Sequence, residues 1–178
     1  MQFSDAEILE AISTVTQKRG ESVYTPQKNY QSYMLSLQTC PARGESIEII
    51  IAKRLQMLGV QATHLGGSQN SIDLSVSVNG SPVRGECKSS LSAPGTGRYK
   101  FHRVKPELFD ILFFAFVHPT RGVVVKTASV RDINRWIEDC SPSRGEDGYS
   151  IGFGKSMTHQ HIPTIEWDAN GGMAKFLG

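Results

Sequence analysis

The sequence predicts an α/β chain in which a central mixed β-sheet is flanked by α-helices, and three stretches carry that expectation. Residues 44–59, GESIEIIIAKRLQMLG, place Ile47, Ile50, Ile51, Leu55 and Leu58 on one helical stripe, with Gly59 as a natural stop. Residues 72–78 alternate Ile72, Leu74, Val76 and Val78 with Asp73, Ser75 and Ser77, the period of two that marks a half-buried strand. The run around Phe109 and Ile111–Val117 is continuously apolar and aromatic, as in a strand buried on both faces. Helices first, then a strand and a hairpin, then a strand pair and a helix, suit a sheet between helical layers.

The other elements follow in order. Ser4 and Glu7 have capping-box spacing ahead of Ile8, Leu9, Ile12 and Val15, so a helix is expected there, ending near Gly20. Thr25-Pro26 can start a second helix with Tyr30, Tyr33, Met34 and Leu37 on one face, and Pro41 is expected to end it. In the 44–59 helix Glu45 and Glu48 are expected in the first turns, where the helix dipole favours anions. Gln61–Leu65 reads as a short strand before the small, polar loop GGSQNS. Asn79-Gly80 is a strong two-residue hairpin signal, and Val83–Ser90 returns antiparallel. Val123–Val125 is a further strand, Ser129 caps a helix running to about Asp139, and the tail from Ser141 reads as loops with a short hairpin at most.

Composition bounds the function. A length of 178 residues suits one domain, 1–178, with no repeat or linker to divide it. A net charge of +2 is too small to identify a polyanionic partner, so any basic surface must come from local clustering. Three widely spaced cysteines without a CxxC pair give no zinc signature and suit a reducing compartment. With no leader-like start and no bilayer-length apolar run, a cytoplasmic protein without membrane attachment is expected.

The chemistry gathers at the hairpin. Glu86 and Lys88 are two apart and share one strand face, while Cys87 points the other way. If the register brings Asp73 beside them, two carboxylates and an ammonium meet at one edge. Hard cations such as Mg²⁺ take one or two carboxylates plus phosphate oxygens, so Asp73, Glu86 and the backbone carbonyl of Cys87 are candidate ligands. Lys88 is then placed to orient or deprotonate a water. Glu48, beside the apolar stripe of its helix, is a softer candidate, with Glu45 as its rival. After the hairpin, Arg98, Lys100, His102, Arg103 and Lys105 interleave with Tyr99 and Phe101 in a loop-like segment suited to phosphate contacts. Alternation there would send Tyr99, Phe101 and Arg103 to one side and Arg98, Lys100, His102 and Val104 to the other.

The ordered set of Glu48 in GESIEIIIAKRLQMLG, Asp73 in NSIDLSV, and Glu86 and Lys88 in RGECKSS resembles the PD-(D/E)XK nuclease superfamily, over about residues 44–137. Residue 72 is Ile where the name of the motif has Pro. The resemblance implies a restriction-endonuclease-like core, a mixed four-stranded sheet between helices. It implies Mg²⁺ at Asp73 and Glu86, with Mn²⁺ able to substitute, Lys88 assisting the attacking water, and Glu48 helping from the first core helix. It further implies double-stranded DNA as partner, a homodimer, and no small-molecule cofactor. The N-terminal helices and the tail would serve recognition or dimerisation. A compact type II restriction endonuclease is the leading expectation. A structure-specific, homing or repair nuclease would carry the same set, and a non-catalytic nucleic-acid-binding protein would keep only the fold.

Overall fold

The computed structural model describes residues 3–18, 31–66, 72–78, 80–119 and 121–166. Three helices come first: α1 (Asp5–Lys18), α2 (Gln31–Leu37) and α3 (Cys40–Met57). Strands β1 (Ala62–His64), β2 (Leu74–Val78) and β3 (Ser81–Leu91) follow, then β4 (Tyr99–Val104), a 3-10 turn (Pro106–Leu108), β5 (Ile111–His118) and β6 (Gly122–Ser129). Helix α4 (Val130–Cys140), β7 (Tyr149–Phe153) and β8 (Ile165–Glu166) complete the described chain.

The central sheet has six strands in the order β1-β2-β3-β5-β6-β8. It is mixed: β3 and β5 run parallel and the other pairs antiparallel. The expected architecture is therefore present, with two more strands than the implied four because β1 and β8 extend the edges. A separate two-stranded sheet joins β4 to β7.

Strand β5 explains why the sheet needs two covers. Ile111 through Val117 are all buried, so both of its faces are apolar. Ile111, Phe113, Ala115 and Val117 belong to the core shared with α1–α3, including Ile8, Ile47, Ile51 and Leu55. Leu112, Phe114 and Phe116 face a second core built from Phe101, Phe153, Ile133 and Trp136. There Phe101 meets Phe114, Phe116 and Phe153 edge-on, with centroids 4.9–5.5 Å apart.

Local signals explain most of the boundaries. Ser4 and Glu7 form the capping box, with Ser4 N–H donating to Glu7 Oε2 at 2.8 Å and Glu7 N–H to Ser4 Oγ at 3.4 Å. Gly20, its expected stop, lies outside the described residues, as do Thr25, Pro26 and Tyr30. Val78 pairs with Ser81, leaving a two-residue turn in which Gly80 has φ +79°. Ser129 Oγ accepts the N–H of Asp132 at 3.1 Å and starts α4.

Four local expectations are corrected. Pro41 does not end a helix: it stands in the first turn of α3, where its missing N–H costs nothing, and the Thr39 side chain caps that turn. Because α3 starts at Cys40, Glu48 lies beyond its second turn, and no acidic residue occupies the first. The dipole therefore does not explain Glu48. The basic segment is a strand rather than a loop, since the tail supplies β7 as its antiparallel partner. Its alternation also breaks: a register shift between Phe101 and Val104 leaves Arg103 at φ +60° and exposed, and turns Val104 into the core.

Candidate active site

Asp73 sits just ahead of β2 and is held by both neighbouring strands. Its backbone N–H donates to Gly85 O at 3.1 Å, and its carbonyl accepts from Leu65 N–H at 3.0 Å. Its carboxylate Oδ2 accepts the Cys87 N–H at 2.7 Å. The two backbone bonds fix the main chain at Asp73, and the third fixes its carboxylate.

The hairpin register, Leu74 opposite Gly85, brings Glu86 level with Asp73. Gly85 has to be small here. A Cβ at that position would come within 3.1 Å of Leu74 Cβ and 3.2 Å of Phe113 Cε2. On β3, Gly85 and Cys87 are buried while Glu86 and Lys88 remain half-buried, as the alternation predicts. Lys88 Nζ forms a close ion pair with Glu86 Oε1.

Glu48 reaches this group from α3, which lies against β1 and β3. Its Oε2 is 2.9 Å from His64 Nε2, and both side chains are mostly buried, at 17% and 18% exposed. Glu48, not Glu45, is the helix carboxylate whose charge acts on Asp73. His64 escaped sequence reading because a lone histidine carries no motif. The usable signal was positional: an antiparallel β1 places His64 opposite Leu74, beside Asp73.

The electrostatics are unbalanced. Burial, then the charges of Glu48 and Glu86, push the Asp73 carboxyl up to about 7, against the pull of the Cys87 N–H and Lys88. Burial and the same three carboxylates also push the Cys87 thiol well up. Three carboxylates sharing one ammonium at partial burial form a field that favours a cation. Among the described residues no three or more His, Cys, Asp or Glu side chains are arranged to hold a metal ion by themselves. Asp73 and Glu86 are the carboxylates that could serve a hard cation, which takes few carboxylates and leaves room for phosphate oxygens.

The basic segment divides in two. Arg98 and Lys100 are exposed near the end of β3, and Lys100 N–H donates to Ser90 Oγ at 2.9 Å. The second half is engaged elsewhere. His102 Nδ1 meets Ser150 Oγ at 2.9 Å, Arg103 Nε lies 3.4 Å from Asp147, and Lys105 bears electrostatically on Glu107. The Tyr99 ring is 3% exposed and meets Phe116 edge-on, so it belongs to the core rather than to an open stacking platform.

Among the described residues no helix is long and apolar enough to cross a membrane. No protein-family model matches the chain, and no curated protein matches it significantly. Among solved structures, the fold is similar to that of a bacterial homing endonuclease, I-Ssp6803I. The TM-score is 0.50 at 18% sequence identity, over 71% of this chain and 83% of that one. At this identity the likeness is one of fold: a mixed sheet between covering layers, shared with a protein described as a homing endonuclease.

Proposed function

We propose that this chain is a metal-dependent endodeoxyribonuclease of the PD-(D/E)XK type, hydrolysing phosphodiester bonds of double-stranded DNA to leave a 5′-phosphate. The observation that carries this reading is the cluster of Asp73, Glu86, Lys88 and Glu48, where burial, then the charges of Glu48 and Glu86, push Asp73 up to about 7. Asp73, Glu86 and the Cys87 carbonyl would hold Mg²⁺, or Mn²⁺ in its place. When bound, the ion supplies Lewis acidity and neutralises charge at the scissile phosphate.

The chain's own groups do the rest. Lys88, anchored by Glu86, presents N–H donors for a phosphate oxygen or an attacking water. Glu48, steadied by His64, adds negative charge that favours cation capture. Arg98 and Lys100 contact the DNA backbone beyond the site.

The test is plasmid DNA incubated with Mg²⁺ and the wild-type protein, beside Asp73→Ala and Lys88→Ala variants whose folding is verified by circular dichroism. Discrete bands are expected from wild type, with losses on the order of 10²- to 10³-fold or more in each variant. Cleavage that survives in Asp73→Ala would sink the site assignment.

Two settings share this chemistry. One is a homodimeric type II restriction endonuclease, whose two-fold symmetry would match a short palindromic site. The fold likeness to a homing endonuclease favours the second setting, a rare-cutting enzyme. Digestion of large genomic DNA separates them: a short site gives many fragments and a long one very few.

A further inference from the structure

The loop that follows β3 borders two clefts, presenting Thr96 and Arg98 to one and Pro94, Gly95 and Gly97 to the other. The larger, about 790 Å³, is lined by Ser90, Tyr99, Gly152 and Gly154 and by the exposed cations Arg98 and Lys100. The other, about 450 Å³, is lined by Pro94, Gly95 and Gly97 of the loop and by His118, Arg121 and Lys155. Among the described residues neither lining contains a carboxylate.

Several other surface cations are matched, though Arg131 and Arg135 on α4 are exposed and make no ion pair among the described residues. Lys53 pairs with Glu10, Arg54 with Glu7, Arg84 with Asp110 and Arg103 with Asp147. A third cleft carries Arg144, but also its partner Glu107. Among the described residues Arg98, Lys100, Arg121 and Lys155 make no such pair. Cations left unneutralised in two clefts that share one loop repel one another.

The loop shared by the clefts, Ser92–Arg98, is a narrow and braced ridge. Ala93 N–H donates to Arg98 O at 2.8 Å, and Gly97 N–H to Ala93 O at 2.9 Å. Pro94, Gly95 and Thr96 at its crest are exposed and short. Lys155 lies so close to Gly97 that a Cβ there would meet its Cγ at 3.1 Å. The Lys100–Ser90 hydrogen bond ties the ridge to β3 two residues beyond Lys88.

We propose that this ridge and its two clefts form a phosphate clamp for duplex DNA, separate from the cleavage site. Arg98 and Lys100 hold phosphates on one side, Arg121 and Lys155 hold them on the other, and the ridge enters the groove between. The choice of DNA as the polyanion rests on the nuclease reading above. A groove is bordered by phosphates on both sides, so a thin ridge bordered by two cationic clefts matches it in shape and charge. The contacts release counterions and carry little sequence information.

The test measures affinity for a fluorescently labelled duplex by anisotropy, in chelator to prevent cleavage, over a range of salt concentrations. Each phosphate contact contributes roughly 0.9 to the slope of log affinity against log salt. Arg98→Ala/Lys100→Ala and Arg121→Ala/Lys155→Ala are each expected to lower that slope by about 2, and the four changes together by about 4. Arg131→Ala/Arg135→Ala on α4, which removes the same charge from outside both clefts, is expected to leave it unchanged. If only the Arg98/Lys100 pair moves the slope, or if the α4 control moves it equally, the two-sided clamp is overturned while the nuclease reading stands. Wild-type protein that neither binds nor cuts DNA sinks both.

Discussion

Strand β3 carries two charged clusters two residues apart, and they are built on opposite principles. At Arg84 one guanidinium meets one carboxylate, with Nη2 and Nε of Arg84 reaching Asp110 Oδ1 and Oδ2 at 2.9 and 3.1 Å. Both side chains are exposed, and the Arg84 hydrogen bonds hold Asp110 below the ordinary carboxylate range. At Glu86 and Lys88 the charges are half-buried and do not balance, and Asp73 is pushed up to about 7. Charges placed for stability come in matched pairs near water. Under the nuclease reading proposed above, the second cluster is the reactive one, since strongly perturbed, unbalanced charges concentrate at functional sites.

The contrast can be broken most sharply at Asp73. Its folded pKa lies above the ordinary 3.8, so its contribution to stability is fully present below about pH 3.8 and is lost as pH rises through about 7. A rise of about three pH units, at ~1.4 kcal/mol each, corresponds to a cost on the order of 4 kcal/mol at pH 8. Asp73→Asn keeps an acceptor for the Cys87 N–H without the charge. In metal-free denaturant unfolding it should be the more stable protein at pH 8, by up to about that amount, with the gap closing toward pH 4. Mg²⁺ should stabilise wild type and not the variant. Equal stability at pH 8 would mean that the cluster is not under electrostatic load.

A smaller effect is expected at Gly85. An added methyl would press on Leu74 and Phe113, for a loss of roughly 1–3 kcal/mol by overpacking. Because Glu86 is the next residue, Gly85→Ala should also reduce cleavage at temperatures where the protein remains folded. Unchanged cleavage would show that the site tolerates displacement of β3.

The smallest effect is expected at the matched pair. Arg84→Ala should leave cleavage unchanged and alter thermal stability less than either substitution above. A cleavage defect there comparable to that of Lys88→Ala would erase the distinction between the two clusters.

Much of this was legible without coordinates. Apolar periodicity placed α3, β2, β5 and α4, because a side chain's burial depends on which face of its own element it occupies. The Asn79-Gly80 turn set the hairpin register, and with it the meeting of Asp73, Glu86 and Lys88. The misjudged points had two sources: Pro41 was misread on local signals, and the basic segment depended on a partner distant in sequence. Pro41 looked like a terminator until Thr39 proved to cap the helix that it starts. Arg98–Lys105 looked like a loop because its strand partner lies some fifty residues on, in the tail. Arg103 faces solvent because pairing with β7 skips a residue, which no alternation rule foresees.

The division follows from the range of the forces. Local sequence determined which residues carry charge, which way they face along a strand, and that one hairpin gathers two carboxylates and a lysine. Only the tertiary structure decided that Glu48 and His64 join them, that Tyr99 is spent on the core, and that four cations make no ion pair among the described residues around a braced ridge. Those outcomes depend on which elements meet in space, and burial and the sum of neighbouring charges are properties of that meeting rather than of any single stretch of chain.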